Sequence, residues 1–80
     1  VQVLIEICDT SYKKDREEKL PLYASRGVAE VWLVHVDKRF VEVFRNPQEG
    51  SYAQYTRHSD GTVSPAAFPN VQIDVAQLLR

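Results

Sequence analysis

Val1-Gln2-Val3-Leu4-Ile5-Glu6-Ile7-Cys8 and Val28-Ala29-Glu30-Val31-Trp32-Leu33-Val34-His35-Val36 are the stretches whose reading decides the fold. Both are rich in β-branched residues, which suit a pleated, half-buried surface. In the first, Val1, Val3, Ile5 and Ile7 point one way and Gln2, Leu4, Glu6 and Cys8 the other. Apolar side chains on both faces suit a central strand covered on both sides. Asp9-Thr10-Ser11 punctuates this strand, and a helix then runs to Arg26-Gly27, where Gly27 is a natural C-terminal stop. A strand, a helix and a strand within this length predict a parallel pair with a right-handed crossover.

The start of that helix is open. Asp15-Arg16-Glu17-Glu18 reads as a capping box, and Pro21 removes one amide donor and clashes with the Glu17 carbonyl, which predicts a kink or a loose first turn. After Val36, Asp37-Lys38-Arg39 is a short turn and Phe40 to Arg45 returns as a strand. Asn46-Pro47-Gln48-Glu49-Gly50 reads as a loop, and Ser51 to Arg57 is a third return. Asp60-Gly61 turns into Thr62-Val63, residues 64–70 are extended and irregular, and Val71 to Asp74 and Val75 to Leu79 predict a last short strand and one helical turn. The sum is a mixed sheet in an α/β or α+β arrangement, strand–helix–strand followed by an antiparallel meander.

Composition excludes several classes. The 80 residues are 44% hydrophobic, too apolar for a disordered or collagenous chain. One cysteine, Cys8, rules out an internal disulfide, and with only His35 and His58 it cannot build a closed zinc site. No apolar run approaches the roughly 20 residues that span a bilayer, and no signal peptide opens the sequence, so a cytoplasmic location and no membrane partner are expected. Ten basic against eleven acidic side chains give a net charge of −1, without the global basic excess of a strong non-specific nucleic-acid binder. Because the chain begins within a strand, it is expected to be one domain, 1–80, forming the C-terminal part of a larger one.

Chemistry has few places to sit. There is no glycine-rich phosphate loop, and Thr10, Ser11 and His35 lack the context of a nucleophile triad. Cys8 on a strand reads as a small hydrophobe. Tyr52, Tyr55 and Arg57 could stack on bases, although strand aromatics more often pack. The run Lys13-Lys14-Asp15-Arg16-Glu17-Glu18-Lys19 reads as a solvated helix face. Within it, Asp15, Lys19 and Tyr23 recur four apart and form one helical stripe, with the acid N-terminal to the base. The helix starts near the C-terminal end of the first strand, where open α/β sheets place ligands and where Glu6 points. Glu6 with Lys19 is therefore a candidate pair, a hard carboxylate for Mg²⁺ and an ammonium for phosphate.

The ordered set Ile5-Glu6-Ile7-Cys8-Asp9-Thr10-Ser11, Asp15, Lys19-Leu20-Pro21-Leu22-Tyr23-Ala24 and Gly27-Val28-Ala29-Glu30-Val31-Trp32-Leu33-Val34 resembles the Uma-two family of restriction endonucleases. Val41-Glu42-Val43-Phe44-Arg45 followed by Gly50-Ser51-Tyr52 continues the likeness over nearly the whole chain. That family is similar to the PD-(D/E)XK nuclease superfamily, whose core is a restriction-endonuclease-like mixed sheet flanked by helices.

The resemblance implies a metal-dependent endonuclease that hydrolyses DNA phosphodiester bonds with Mg²⁺ or Mn²⁺. Glu6 matches the acidic metal ligand, with a second carboxylate expected upstream of Val1. The superfamily lysine would stand at Cys8; Lys19 on the following helix matches its substitute and is the second catalytic residue. Asp15 and Tyr23 match supporting positions that orient Lys19, and Glu30 and Trp32 match as packing and sheet support. DNA is the expected partner, together with self-association as a homodimer. The competing expectations are a catalytically inactive nuclease-fold module for binding or oligomerisation, and a purely structural domain.

Overall fold

The computed structural model describes residues 3–8 and 12–79, and of residues 12–15 the backbone alone. Val1, Gln2 and the Asp9-Thr10-Ser11 punctuation lie outside the described residues. Strand β1 (Val3–Cys8) leads to helix α1 (Tyr12–Ser25) and then to β2 (Glu30–His35), β3 (Phe40–Gln48) and β4 (Ser51–His58). Short strands β5 (Thr62–Val63) and β6 (Ile73–Asp74) precede helix α2 (Val75–Leu78). The main sheet has four strands in the order β1-β2-β3-β4, and β5 and β6 pair separately. β1 and β2 are parallel, with Glu6 opposite Leu33 and Cys8 opposite His35. β2, β3 and β4 form the antiparallel meander. The result is a mixed α+β fold, consistent with a nuclease-like one.

Local chemistry accounts for the ends of α1 and α2. Gly27 takes the left-handed φ of 74° that glycine adopts without a steric cost. Its N–H reaches the Ala24 carbonyl and the Val28 N–H reaches that of Tyr23, both at 3.1 Å, the paired bonds that satisfy a helix C-terminus. At α2, the Asp74 carboxylate accepts from the Ala76 N–H at 2.9 Å as an N-cap.

The structure departs from the sequence reading in three places. Among the described residues β1 is an edge strand, hydrogen-bonded to β2 alone. Ile5 and Ile7 on its far face are 40% and 67% exposed; an apolar composition reports what a strand can bury, not how many neighbours it has. Helix α1 begins at Tyr12, so Asp15 lies within the first turn and is not the cap; the helix also continues through Pro21 to Ser25. Asn46 and Pro47 extend β3 to Gln48 instead of opening a loop. Asn46 accommodates a left-handed φ of 61°, and the hairpin closes at Glu49-Gly50, with the two positive φ values, 52° and 79°, of a type I′ turn.

Alternation along β2 divides the core between the two faces of the sheet. Trp32 and Val34 pack with Val41, Val43, Val75 and Leu79 on the face under α2. Val31 and Leu33 pack with Cys8, Phe44, Leu20 and Tyr23 on the face under α1. Each such buried aliphatic or aromatic side chain stabilises the fold by about 1.5–3 kcal/mol. At the start of β2, Glu30 is 2% exposed. Its carboxylate accepts from the Trp32 indole and from the Ala66 N–H at 2.7 Å, and the Arg45 Nε stands 3.0 Å away. Glu30 thus joins β2, β3 and the irregular segment before β6, the sheet support expected of it.

Candidate active site

Glu6 lies on the face of β1 that α1 covers, and a half-buried carboxylate there requires donors. Two arrive from consecutive turns of α1. The Tyr23 hydroxyl donates to Glu6 Oε1 at 2.5 Å, and Lys19 Nζ stands 3.8 Å from Oε2. Residues four apart on a helix project from the same side, so Lys19 and Tyr23 reach the same carboxylate. The Lys19 side chain is 46% exposed and that of Glu6 25%, which leaves the pair open to solvent on one side.

The separation exceeds a hydrogen bond, and a partly exposed ion pair of this kind stabilises by about 0.2–1 kcal/mol. Fold stability gives little reason for the arrangement. Chemically it offers a carboxylate oxygen and an ammonium side by side, an acceptor for a cation next to a donor for an oxyanion.

Of the residues singled out in the sequence, the structure brings together Glu6, Lys19 and Tyr23. The side chain of Asp15 lies outside the described residues. The Tyr23 hydroxyl bonds to the carboxylate rather than to the ammonium, so its influence on Lys19 runs through Glu6. Cys8, two residues after Glu6, is 3% exposed and belongs to the apolar cluster under α1. Among the described residues no group of three or more His, Cys, Asp or Glu side chains could hold a metal ion. Glu6 fits Mg²⁺ or Mn²⁺ as a single hard oxygen ligand, since Mg²⁺ commonly binds through one or two carboxylates plus water and phosphate oxygens.

A second polar cluster on this face escapes sequence reasoning. Glu42 of β3 is 3% exposed and His35 of β2 is 2% exposed, and their side chains meet at 2.7 Å. Tyr55 and Arg16 join them at the other Glu42 oxygen. The charge run of α1 is therefore more than a solvated face, because Arg16 and Lys19 both turn toward acids of the sheet. A single acid between Val41 and Val43 on a buried strand was the available signal.

The family model Uma2, described as "Putative restriction endonuclease", matches residues 1–76 of the 80. The chain belongs to the Uma2 family. No match is found among curated proteins. Membership in the Uma2 family points to nuclease activity and to DNA as substrate, and restriction-endonuclease-like families generally use divalent metals. No described helix is long and apolar enough to cross a membrane.

Proposed function

We propose that this chain carries part of the active site of a divalent-metal-dependent endonuclease that hydrolyses DNA phosphodiester bonds. The observation that carries the reading is the Lys19 ammonium 3.8 Å from the Glu6 carboxylate, on the solvent-open side of the pair. Glu6 would hold Mg²⁺ or Mn²⁺, which when bound supplies an activated water and neutralises charge at the phosphate. A second carboxylate, from a segment upstream of Val1 within a larger domain, would share that task. Lys19 stabilises the negative charge that develops on the phosphoryl oxygens, and its ammonium stands beside the carboxylate that would hold the metal. Tyr23 fixes the Glu6 carboxylate by donating to the oxygen that Lys19 does not face.

The test is cleavage of plasmid DNA by the intact protein with Mg²⁺ or Mn²⁺, compared with Glu6→Gln. This variant keeps the shape and loses the charge, so cleavage should disappear while the circular dichroism spectrum is unchanged. Cleavage that survives it removes Glu6 from the site. A second reading, a nuclease fold used only for binding, is favoured by the burial of Cys8 where the resembling nucleases place a lysine. An intact protein that binds DNA and cleaves none with any divalent ion supports that alternative.

A further inference from the structure

Glu42 plays no part in the reading above, yet it fixes two groups that reach the surface. Its Oε1 meets His35 Nε2 at 2.7 Å, and its Oε2 accepts from the Tyr55 hydroxyl at 2.7 Å and lies 3.4 Å from the Arg16 guanidinium. Tyr55 is 45% exposed, and the Arg16 side chain is 42% exposed. Beside them Phe44 and Tyr52 complete an aromatic row, with the Phe44 centroid 5.1 Å from that of Tyr55 and 6.2 Å from that of Tyr52. The Tyr52 hydroxyl donates to the Val28 carbonyl at 2.6 Å. The guanidinium carbon of Arg16 lies 5.5 Å from the Phe44 centroid and 5.7 Å from that of Tyr55.

With Glu17 and Leu20, these side chains line an open cleft of about 420 Å³ between α1 and the β3–β4 hairpin, within the usual range for small-molecule sites. Leu20 follows Lys19 on α1, so the cleft adjoins the Glu6–Lys19 pair on the same side of the sheet. Both tyrosine hydroxyls are tied back to the protein, so the rings are held in place and offer apolar surface to the cleft. Such a surface recognises π-faces. Arg57, whose guanidinium sits 3.8 Å from the Phe40 centroid, adds a further cation on this face, two residues from Tyr55. Glu17 is an acid in the cleft lining, which disfavours a phosphate inside and admits an uncharged ring.

We propose that this cleft is a nucleobase subsite. It takes one unstacked base of a nucleic-acid strand against the exposed Tyr55 ring, which the buried Phe44 ring backs, while Arg16, Lys19 and Arg57 meet the flanking phosphates. The polynucleotide substrate rests on the nuclease reading; the base recognition rests on the cleft.

The experiment measures binding of a labelled single-stranded oligonucleotide, and of the same strand with one abasic position, by the intact protein in chelator. The abasic strand should bind more weakly. Tyr55→Ala should lower affinity for the complete strand about ten- to hundredfold, the effect of removing one stacking ring, and should erase the difference between the two strands. Tyr55→Phe keeps the ring and should bind almost as the parent does. Equal binding of both strands by the parent, or an unaltered difference in Tyr55→Ala, would overturn the subsite. Displacement by dAMP at the concentration effective for the strand would overturn the assignment to a polynucleotide. Cleavage with Mn²⁺ is scored separately. Base-dependent binding without cleavage keeps the subsite and removes the nuclease, and cleavage without base dependence does the reverse.

Discussion

Glu6 and Glu42 stand in one cross-strand row of the sheet, with Leu33 between them, and α1 supplies a cation to each. Lys19 goes to Glu6 and Arg16 to Glu42. The helix is therefore held over the sheet at two points on either side of an apolar centre. The two contacts differ in kind, because Glu6 is partly open to water while Glu42 is enclosed.

Lys19→Ala should separate activity from stability. Removing one group that stabilises a transition-state charge costs about 2.7–4 kcal/mol of barrier, a hundred- to thousandfold in rate. The ion pair itself contributes about 0.2–1 kcal/mol to folding. Cleavage kinetics and urea denaturation of the same preparation check both halves, and a variant that loses stability and rate in proportion would contradict the assignment.

Glu30→Ala should be among the most damaging substitutions on β2. It strands the Trp32 indole and the Ala66 N–H around a site that is 2% exposed and removes the carboxylate beside Arg45 Nε. Leaving a buried donor without its acceptor costs about 1–3 kcal/mol. Equilibrium unfolding measures the loss, and a change within experimental scatter would show that these donors find water instead.

Cys8→Ser should leave cleavage unaltered. A thiol is neutral or, when ionised, negative, and this one is buried in the cluster under α1, so it does not supply the site's positive charge. Single-turnover rates of the variant check this, and a large drop with an intact fold would return Cys8 to the mechanism.

High pH should weaken the hairpin side of the α1 face. Burial raises the Tyr52 hydroxyl above its usual value near 10. Burial also raises that of Tyr55, with the Glu42 hydrogen bond and charge adding to it and Arg16 and Arg57 opposing. The folded state thus favours the protonated phenols. The stability they contribute is complete below about pH 10, the unfolded value, and is lost as pH rises through the folded values. Tyrosinate absorbance should show these two rings ionising after free tyrosine, and Tyr55→Phe should remove one of the late steps.

The order of elements was legible because each has a local cause: β-branched runs for β1 and β2, Gly27 for the end of α1, and turn residues for the meander. That Lys19 and Tyr23 of the candidate site project from the same side of α1 followed from the helical period. Glu42 did not, because its partners come from β2, β4 and α1 and only the register assembles them. The loop expected at Asn46-Pro47 failed for a related reason. Residues that favour turns can also sit within a strand when the pairing partner is already supplied by a tight hairpin beyond them.

The even-numbered side chains Glu30, Trp32 and Val34 and the odd-numbered Val31, Leu33 and His35 divide β2 between the face under α2 and the face under α1, each with its own apolar cluster and its own buried acid, Glu30 on the first and Glu42 of β3 on the second. The polar groups under α1 lie on the opposite side of the sheet from the layer on which α2 rests. A polar side chain under α1 can change without dismantling the apolar layer on which α2 rests. A protein built this way can lose a reactive group and remain folded long enough to acquire another use for the same surface.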